Sequence, residues 1–288
     1  MEATEKAVID EIYKVAVRMG GGCPLWLKER RVPEFSTNEL GETGPYMLLL
    51  HGLFGAVSNW EGVFPVFGEF SRVIALQFPL LTGHRSEVRV KSLAAYTECF
   101  LRIRELQPVS LCGNSLGGHV ALRMALASPQ SVDCLILSGT SGLYEHLVDN
   151  LPVRPSREYI REHMGRVFYN DRFVTEERIS EVLDILSSRV NYLNLIHAAR
   201  SAKKDNLLNS LKFIQAPTLL LWGEDDEVTT MKIAEAFHKN IPNSKLVTIK
   251  NCGHAPMIEH PEWFAEEVRK FLAENSLYYK QNSCQYHL

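Results

Sequence analysis

The sequence predicts an α/β fold: a mostly parallel central sheet flanked by helices, with a helical cap inserted between two of its strands. Three observations carry this expectation. Short apolar runs alternate with helical patterns along most of the chain, the arrangement that buries a parallel sheet under helices. Residues 142–212 interrupt the alternation with helical patterns alone, which places a block of helices between two strands of one sheet. The 288 residues, 45% hydrophobic and 23% charged, suffice for one sizeable core carrying such an insertion. The expected divisions are a first part of the core over 1–141, a cap over 142–212, a second part of the core over 213–276 and a tail over 277–288.

In chain order, residues 1–20 set Val8, Ile12, Val15 and Met19 at helical spacing, with Glu2, Glu5, Asp10 and Glu11 among them. That pattern is an amphipathic helix docked on its own domain, without the basic start and apolar block of a signal peptide. Tyr46-Met47-Leu48-Leu49-Leu50 is a buried strand ending at His51-Gly52, and 60–70 is expected to be a helix. Val73-Ile74-Ala75-Leu76 is a second strand, closed by Gln77-Phe78-Pro79. Residues 92–106 carry Leu93, Tyr96, Phe100, Ile103 and Leu106 on one helical face. A strand over 109–112 leads into a helix over 116–127, which stops before Pro129 because proline cannot continue it. Further strands occupy 132–137, 218–222 and 245–249, and a last helix opens at Pro261, a favoured first-turn position, and runs to 272. Within the cap, 161–168, 175–186 and 191–203 read as helices; Thr175 followed by Glu176 and Glu177 is a helix start. The tail from Leu277 shows no period and is expected to be loosely held.

Charge and cysteine usage narrow the function classes. A net charge of -3 and a pI near 6.4 give no electrostatic footprint for nucleic acid or an anionic membrane. No apolar run approaches the roughly 20 residues needed to span a bilayer. Cys23, Cys99, Cys112, Cys134, Cys252 and Cys284 are scattered, with no C-x-x-C pair and no cluster with histidine. Neither a metal site nor a disulfide framework is implied, and a reducing cytoplasm is the expected compartment.

The chemistry gathers at Gly113-Asn114-Ser115-Leu116-Gly117, a G-x-S-x-G sequence with a buried strand before it and a helix after it. In so tight a turn the serine is held exposed, and the flanking glycines remove side chains that would block it. The helix also aims its free N–H groups at any negative charge that develops there. A serine hydroxyl is a weak nucleophile unless an adjacent base takes its proton. The base is expected to be a histidine oriented by a carboxylate, in the chain order serine, acid, histidine. Trp222-Gly223-Glu224-Asp225-Asp226 supplies carboxylates just after one strand, and Asn251-Cys252-Gly253-His254 supplies a histidine just after the next. His238 falls in an amphipathic helix pattern, His260 begins the final helix and His287 lies in the tail, so His254 is the base. Two donors are needed for a tetrahedral oxyanion. The backbone N–H of Leu116 is one; Leu53, with Phe54 as the alternative, supplies the other from the His51-Gly52-Leu53-Phe54-Gly55 loop. His51 itself is expected to fix this loop by hydrogen bonds.

These motifs, in this order and over about residues 46–272, resemble the α/β-hydrolase superfamily. Within it the chain is similar to small capped hydrolases: ester hydrolases and the meta-cleavage-product carbon–carbon hydrolases. The Gly113-Asn114-Ser115 form is common among the latter. The resemblance places the triad acid third after the tryptophan's glycine, which selects Asp226 over Asp225. It also exposes departures. Carbon–carbon hydrolases usually carry a glycine-rich first loop, a cap arginine for the substrate's acidic end and a tryptophan soon after the catalytic histidine. This chain has Leu53 and Phe54 in that loop and Ala255-Pro256 after His254, and Arg178 and Arg189 are its candidate cap arginines. The family's dehalogenases and epoxide hydrolases use aspartate as nucleophile, against Ser115 here.

The expectation is therefore a carboxylic-ester hydrolase working through an acyl-enzyme on Ser115, His254 and Asp226, with carbon–carbon, thioester or lactone hydrolysis as alternatives. A ligand receptor on the same scaffold is the non-enzymatic alternative. The expected partner is a small-molecule ester or related acyl substrate, with no nucleic acid, no membrane span and no cofactor or metal. Pocket walls are assigned to Phe54, Trp60, Gly142 and Leu143.

Overall fold

The computed structural model describes residues 3–20, 22–144 and 155–282. A sheet of seven strands forms its centre: β1 Ser36–Leu40, β2 Tyr46–Leu50, β3 Arg72–Gln77, β4 Val109–Asn114, β5 Val132–Ser138, β6 Thr218–Gly223 and β7 Ser244–Ile249. Their order across the sheet is β1-β3-β2-β4-β5-β6-β7. All neighbours run parallel except β1, which pairs antiparallel with β3 at the edge. The helices are α1 Ala3–Arg18, α2 Leu25–Lys28, α3 Phe64–Gly68, α4 Val90–Ile103, α5 Leu116–Ala127, α6 Arg157–Val167, α7 Glu176–Ser187, α8 Arg189–Lys204, α9 Met231–Asn240, α10 Pro256–Glu259, α11 Pro261–Asn275 and α12 Leu277–Asn282.

Strand alternation divides the core into two layers. Leu48, Leu50, Ile74, Leu111, Leu135, Leu137, Leu220 and Trp222 face one side, under α1, α4, α5 and α9. Met47, Leu49, Val73, Ala75, Cys112, Ile136, Leu219 and Leu221 face the other, under α3 and α11. Because helices cover both faces, the inner strands are buried at nearly every position and largely apolar. The N-terminal helix docks as expected, with Ile12, Val15 and Met19 buried in the first layer and Val8 half-buried against it.

The strand order reverses between β2 and β4. From β2 the chain moves outward to β3, then returns to place β4 on the other side of β2. In a parallel α/β sheet such a switch point opens a crevice at the strands' C-terminal ends. Leu50 pairs with Gly113 and Asn114 with Ser138, so the loops after β2, β4 and β5 leave the sheet at one edge.

The helices α6, α7 and α8 lie between β5 and β6, where the cap was expected. Their starts follow local chemistry. Ser156 accepts from Tyr159 N, Thr175 from Arg178 N and Ser188 from Asn191 N, each satisfying an amide of a first turn. The insertion is tied at its base, where Leu207 N donates to Gly142 O at 2.8 Å. Just before it, Asp205 takes a two-pronged bond from Arg123 of α5 and lies 3.6 Å from Lys91 of α4. Burial alone would raise the Asp205 carboxyl, but His119 and Arg123 beside it outweigh burial and bring it down to about 2.

Two local expectations are corrected and one strand is added. The helix expected over 60–70 is a 3₁₀ turn, Val57–Trp60, followed by the short α3, with Pro65 in α3's first turn. Proline cannot donate to a preceding turn and clashes with the carbonyl four residues back, so one continuous helix is disfavoured there. The tail is ordered through Asn282: Ser276 Oγ and Leu277 N both donate to Asp133, and Tyr279 Oη donates to Phe70 O at 2.8 Å. Strand β1 was not anticipated, because Ser36-Thr37-Asn38-Glu39-Leu40 is polar and mostly exposed. Among the described residues no helix is long and apolar enough to cross a membrane.

Candidate active site

Ser115 sits at the tip of the β4–α5 turn with φ 53° and ψ −117°, a left-handed geometry that non-glycine residues rarely adopt. The surrounding backbone holds it there. Ser115 N donates to Ser138 O at 3.0 Å, while Ser115 O accepts from His119 N and Ser141 N, both at 3.1 Å. A side chain at Gly117 would bring a Cβ within 1.9 Å of Leu50 O, so the turn closes against β2 only with glycine there. The G-x-S-x-G spacing is thus a packing requirement as well as a chemical one.

His254 and Asp226 meet as expected, with His254 Nδ1 2.9 Å from Asp226 Oδ2. Asp226 is 4% exposed and is saturated with donors. Val228 N and Thr229 N both donate to Oδ1 at 2.8 Å, and Thr229 Oγ1 donates to Oδ2 at 2.9 Å. Asp225, by contrast, is exposed and accepts from Cys252 N at 3.4 Å. The histidine loop is fixed from three sides. His254 N donates to Val167 O at 2.7 Å, at the end of α6. Glu259 takes Gly253 N at 2.7 Å on one oxygen and Asn170 N at 3.1 Å on the other. Asn114 Nδ2, beside the serine, donates to His254 O at 3.0 Å and to Ser138 O at 3.1 Å. Asn114 therefore joins the serine turn to the histidine loop across 140 residues of sequence. Gly139 completes the fit, since a Cβ there would lie 2.7 Å from His254 Nδ1. Among the described residues the Ser115 hydroxyl and His254 are not bonded to each other; contacts of this kind often close only once a substrate is bound.

The loop after β2 brings Gly52 against Ser115: a Cβ on Gly52 would lie 3.3 Å from the Ser115 Cβ. The amides of Leu53 and Leu116 make no hydrogen bond to another described residue. His51 fixes this loop, as expected. Its Nε2 accepts from Phe78 N at 2.9 Å, so the proton resides on Nδ1, which donates to Gly52 O at 2.8 Å. Complete burial pushes the imidazole down to about 4 from its ordinary 6.5. The consequence for stability has a definite sign. Between those values the unfolded chain holds a proton that the folded chain refuses, so stability falls as pH drops from 6.5 toward 4. The full effect is about 3 kcal/mol. Urea unfolding at pH 7 and pH 4.5 should show this loss in the parent protein. His51→Gln, though less stable at pH 7, should show a flatter pH dependence; an unchanged slope would contradict the assignment.

The residues expected to line a pocket divide. Phe54 is 43% exposed beside the Leu53 amide. Leu143 is buried in the first core layer, and Gly142, with φ 119°, packs against the His119 ring. Trp60 is corrected: it is 1% exposed and packs against Phe264 in the second core layer, so it serves the core rather than an open pocket wall. Of the cap arginines, Arg178 donates to Phe173 O and lies over the Phe168 and Phe173 rings, whereas Arg189 is exposed. His238 bonds Ser244 Oγ and His260 bonds Asn251 O, both outside the triad geometry, and His287 lies outside the described residues. Sequence reasoning missed Gly139, Thr229 and Glu259, whose partners are visible only after folding.

A mostly parallel sheet with a switch point, a strained serine at the turn beside it and a buried aspartate–histidine pair at the same edge make up the architecture of an α/β hydrolase. The chain belongs to the alpha/beta hydrolase family, whose model matches residues 47–267. It is 30% identical over 263 residues to a 2-hydroxy-6-oxononadienedioate/2-hydroxy-6-oxononatrienedioate hydrolase of Pseudomonas putida, covering 82% of this chain and 90% of the relative. It is also 30% identical to a 2-hydroxy-6-oxo-6-(2'-aminophenyl)hexa-2,4-dienoic acid hydrolase of Metapseudomonas resinovorans, covering 83% and 87%. Among solved structures it is similar to MGS-MChE2, an alpha/beta hydrolase enzyme from a sediment metagenome of the Mar Chica lagoon, Morocco. The match has a TM-score of 0.69 and 31% identity, covering 84% of this chain and 96% of that one.

Proposed function

We propose that this hydrolase cleaves a carbon–carbon bond next to a ketone, in an acidic dienoate of the meta-cleavage-product type. The observation that carries the mechanism is the Asp226–His254 pair, 2.9 Å apart at the edge where Ser115 is held in its strained turn. His254 Nε2 takes the Ser115 proton as Oγ attacks the carbonyl carbon. The oxyanion is held by the unengaged amides of Leu53 and Leu116, the latter at the N-terminus of α5. Collapse breaks the adjoining carbon–carbon bond, and the carbanion takes its proton from the His254 imidazolium. Carbon leaves in this way only when its charge is delocalised, so the 2-hydroxydienoate must first take its keto form, its enol proton moving to the carbon beside the ketone, which leaves a conjugated carbonyl to receive the charge. Water, deprotonated by His254, then frees the acid from Ser115.

The choice of bond rests on the relatives, which are named for dienoate hydrolysis. Ester hydrolysis, with an alcohol as leaving group, is the second reading, and specific observations favour it. Ala255 follows the histidine, and Arg178 is committed to Phe173 O and two aromatic rings rather than presented to a carboxylate. The purified protein should be assayed on 2-hydroxy-6-oxononadienedioate, followed by loss of its absorbance, and on a short p-nitrophenyl ester. The proposal expects kcat/KM for the dienoate to exceed that for the ester by at least about tenfold, or about 1.4 kcal/mol of transition-state preference. The reverse ratio would return the assignment to an esterase.

A further inference from the structure

The Asp226–His254 pair has a third member that a serine triad does not require. Thr229 is 2% exposed, and its hydroxyl donates to Asp226 Oδ2 at 2.9 Å. That is the oxygen which also faces His254 Nδ1 at 2.9 Å. Thr229 Oγ1 itself lies 3.2 Å from His254 Nδ1, so the three groups form a closed triangle. The threonine backbone is fixed independently: its N–H donates to Asp226 Oδ1 at 2.8 Å, and its carbonyl accepts from the buried Trp222 Nε1 at 2.6 Å.

The hydrogen-bond directions follow from chemistry. An ionised carboxylate is the strongest acceptor in the triangle, so the Thr229 O–H points at Oδ2. Its oxygen lone pairs then face Nδ1, giving the Nδ1–H two acceptors. In the opposite tautomer, Nδ1 would compete with the carboxylate for the hydroxyl hydrogen, exchanging a charge-assisted bond for a weaker neutral one. The negative end of the hydroxyl dipole also lies toward the ring, where it favours the imidazolium over the neutral form.

We propose that Thr229 is a positioning residue of this site: its hydroxyl locks His254 in the Nδ1–H tautomer, leaving Nε2 as the base, and stabilises the imidazolium formed during turnover. The inference rests on the reading of Ser115 and His254 as nucleophile and base. The other ionisable groups around His254 are Asp226, Asp225 bonded to Cys252 N, Glu259 bonded to Gly253 N, and the Cys252 thiol, which burial holds neutral. From α6 the histidine loop meets the Val167 carbonyl, and from the loop after β5 it meets Gly139, neither of which titrates.

The test compares Thr229→Val, which keeps the shape and loses the hydroxyl, with Thr229→Ser, which keeps the hydroxyl. Thr229→Val should lower kcat about tenfold, the loss of one secondary hydrogen bond to a charged group, with KM little changed. Removing a group that favours the imidazolium should also move the acid limb of kcat/KM to lower pH, by about half a unit. Thr229→Ser should restore both. A valine variant with the parent rate and pH profile would overturn the proposal. So would a rate loss without a pH shift that serine fails to rescue, since that pattern belongs to packing alone. Should the valine variant fail to fold, nitrogen NMR of His254 in the parent protein decides the matter: the Nδ1–H tautomer is expected, and an Nε2–H tautomer overturns the lock. The tautomer is read without substrate, so the result is separable from failure of the Ser115 assignment, which would show as turnover surviving Ser115→Ala.

Discussion

Ser115→Ala is expected to abolish turnover while leaving the protein folded. The fold should survive because the bonds that shape the turn are made by Ser115 backbone atoms, to Ser138, His119 and Ser141, and alanine keeps all of them. Alanine also has a Cβ, so the strain at φ 53° is carried over without being increased. Chemistry should fail because, in the proposed mechanism, the Ser115 hydroxyl at the strained tip beside Gly52 is the nucleophile. Loss of the nucleophile in a working triad costs about 10⁶ in kcat. The variant should therefore fall to background on any substrate the parent protein turns over, with an unchanged near-ultraviolet circular dichroism spectrum and a urea midpoint close to the parent's. Turnover within about a hundredfold of the parent, roughly 2.7 kcal/mol of barrier, would mean that His254 activates water directly and that the acyl-enzyme route is wrong.

What could be read before the structure was known divides by the range of the interaction. Strands β2, β3, β4, β5 and β6 were legible because burial on both faces leaves apolar runs, whereas the half-buried edge strand β7 was legible through Leu246, Val247 and Ile249. The elbow was legible because its glycines are needed within two residues of Ser115. His254 and Asp226 followed because each directly succeeds a strand, and parallel strands deliver such loops to one edge. Strand β1 escaped because an edge strand with four exposed positions carries no apolar signal. The order of the tail escaped for a different reason: its anchor, Asp133, lies 143 residues from Ser276. Trp60 was assigned to the pocket on aromatic character, which serves core and pocket equally; only the packing with Phe264 separates the two. Asn114 was noticed as a family trait, and its physical reason, a bridge from the serine turn to the histidine loop, appears only when residues 114 and 254 are brought together.

Those long-range ties also reach the inserted helices. The histidine loop is held by α6 through Val167 and, through Glu259, by Asn170 just beyond it. The inserted helices therefore help to hold the loop that carries His254. If His254 is the base, substitutions near Val167 should alter kcat together with KM.

Asp226→Asn carries the second large effect, and its direction follows from the backbone around it. Asp226 Oδ1 is held by two N–H groups, from Val228 and Thr229, and a carbonyl oxygen is needed to receive them. Asparagine will therefore keep its oxygen there and turn its NH₂ toward Thr229 Oγ1 and His254 Nδ1. A donor facing Nδ1 favours the tautomer with its proton on Nε2, the nitrogen that accepts the Ser115 proton in the proposed mechanism. The imidazolium also loses its counter-charge in a site where Asp226 is almost fully buried. In a serine triad this exchange lowers kcat by about 10⁴ while leaving the architecture in place. The same loss is expected here, with KM within a few-fold of the parent's and with His254 converted to the Nε2–H tautomer by nitrogen NMR. Asp225→Asn provides the control, since Asp225 is exposed and touches Cys252 N rather than the imidazole. If Asp225→Asn were the damaging change and Asp226→Asn the mild one, the orienting carboxylate would be the exposed residue, and the buried triangle of Asp226, Thr229 and His254 would be structural alone.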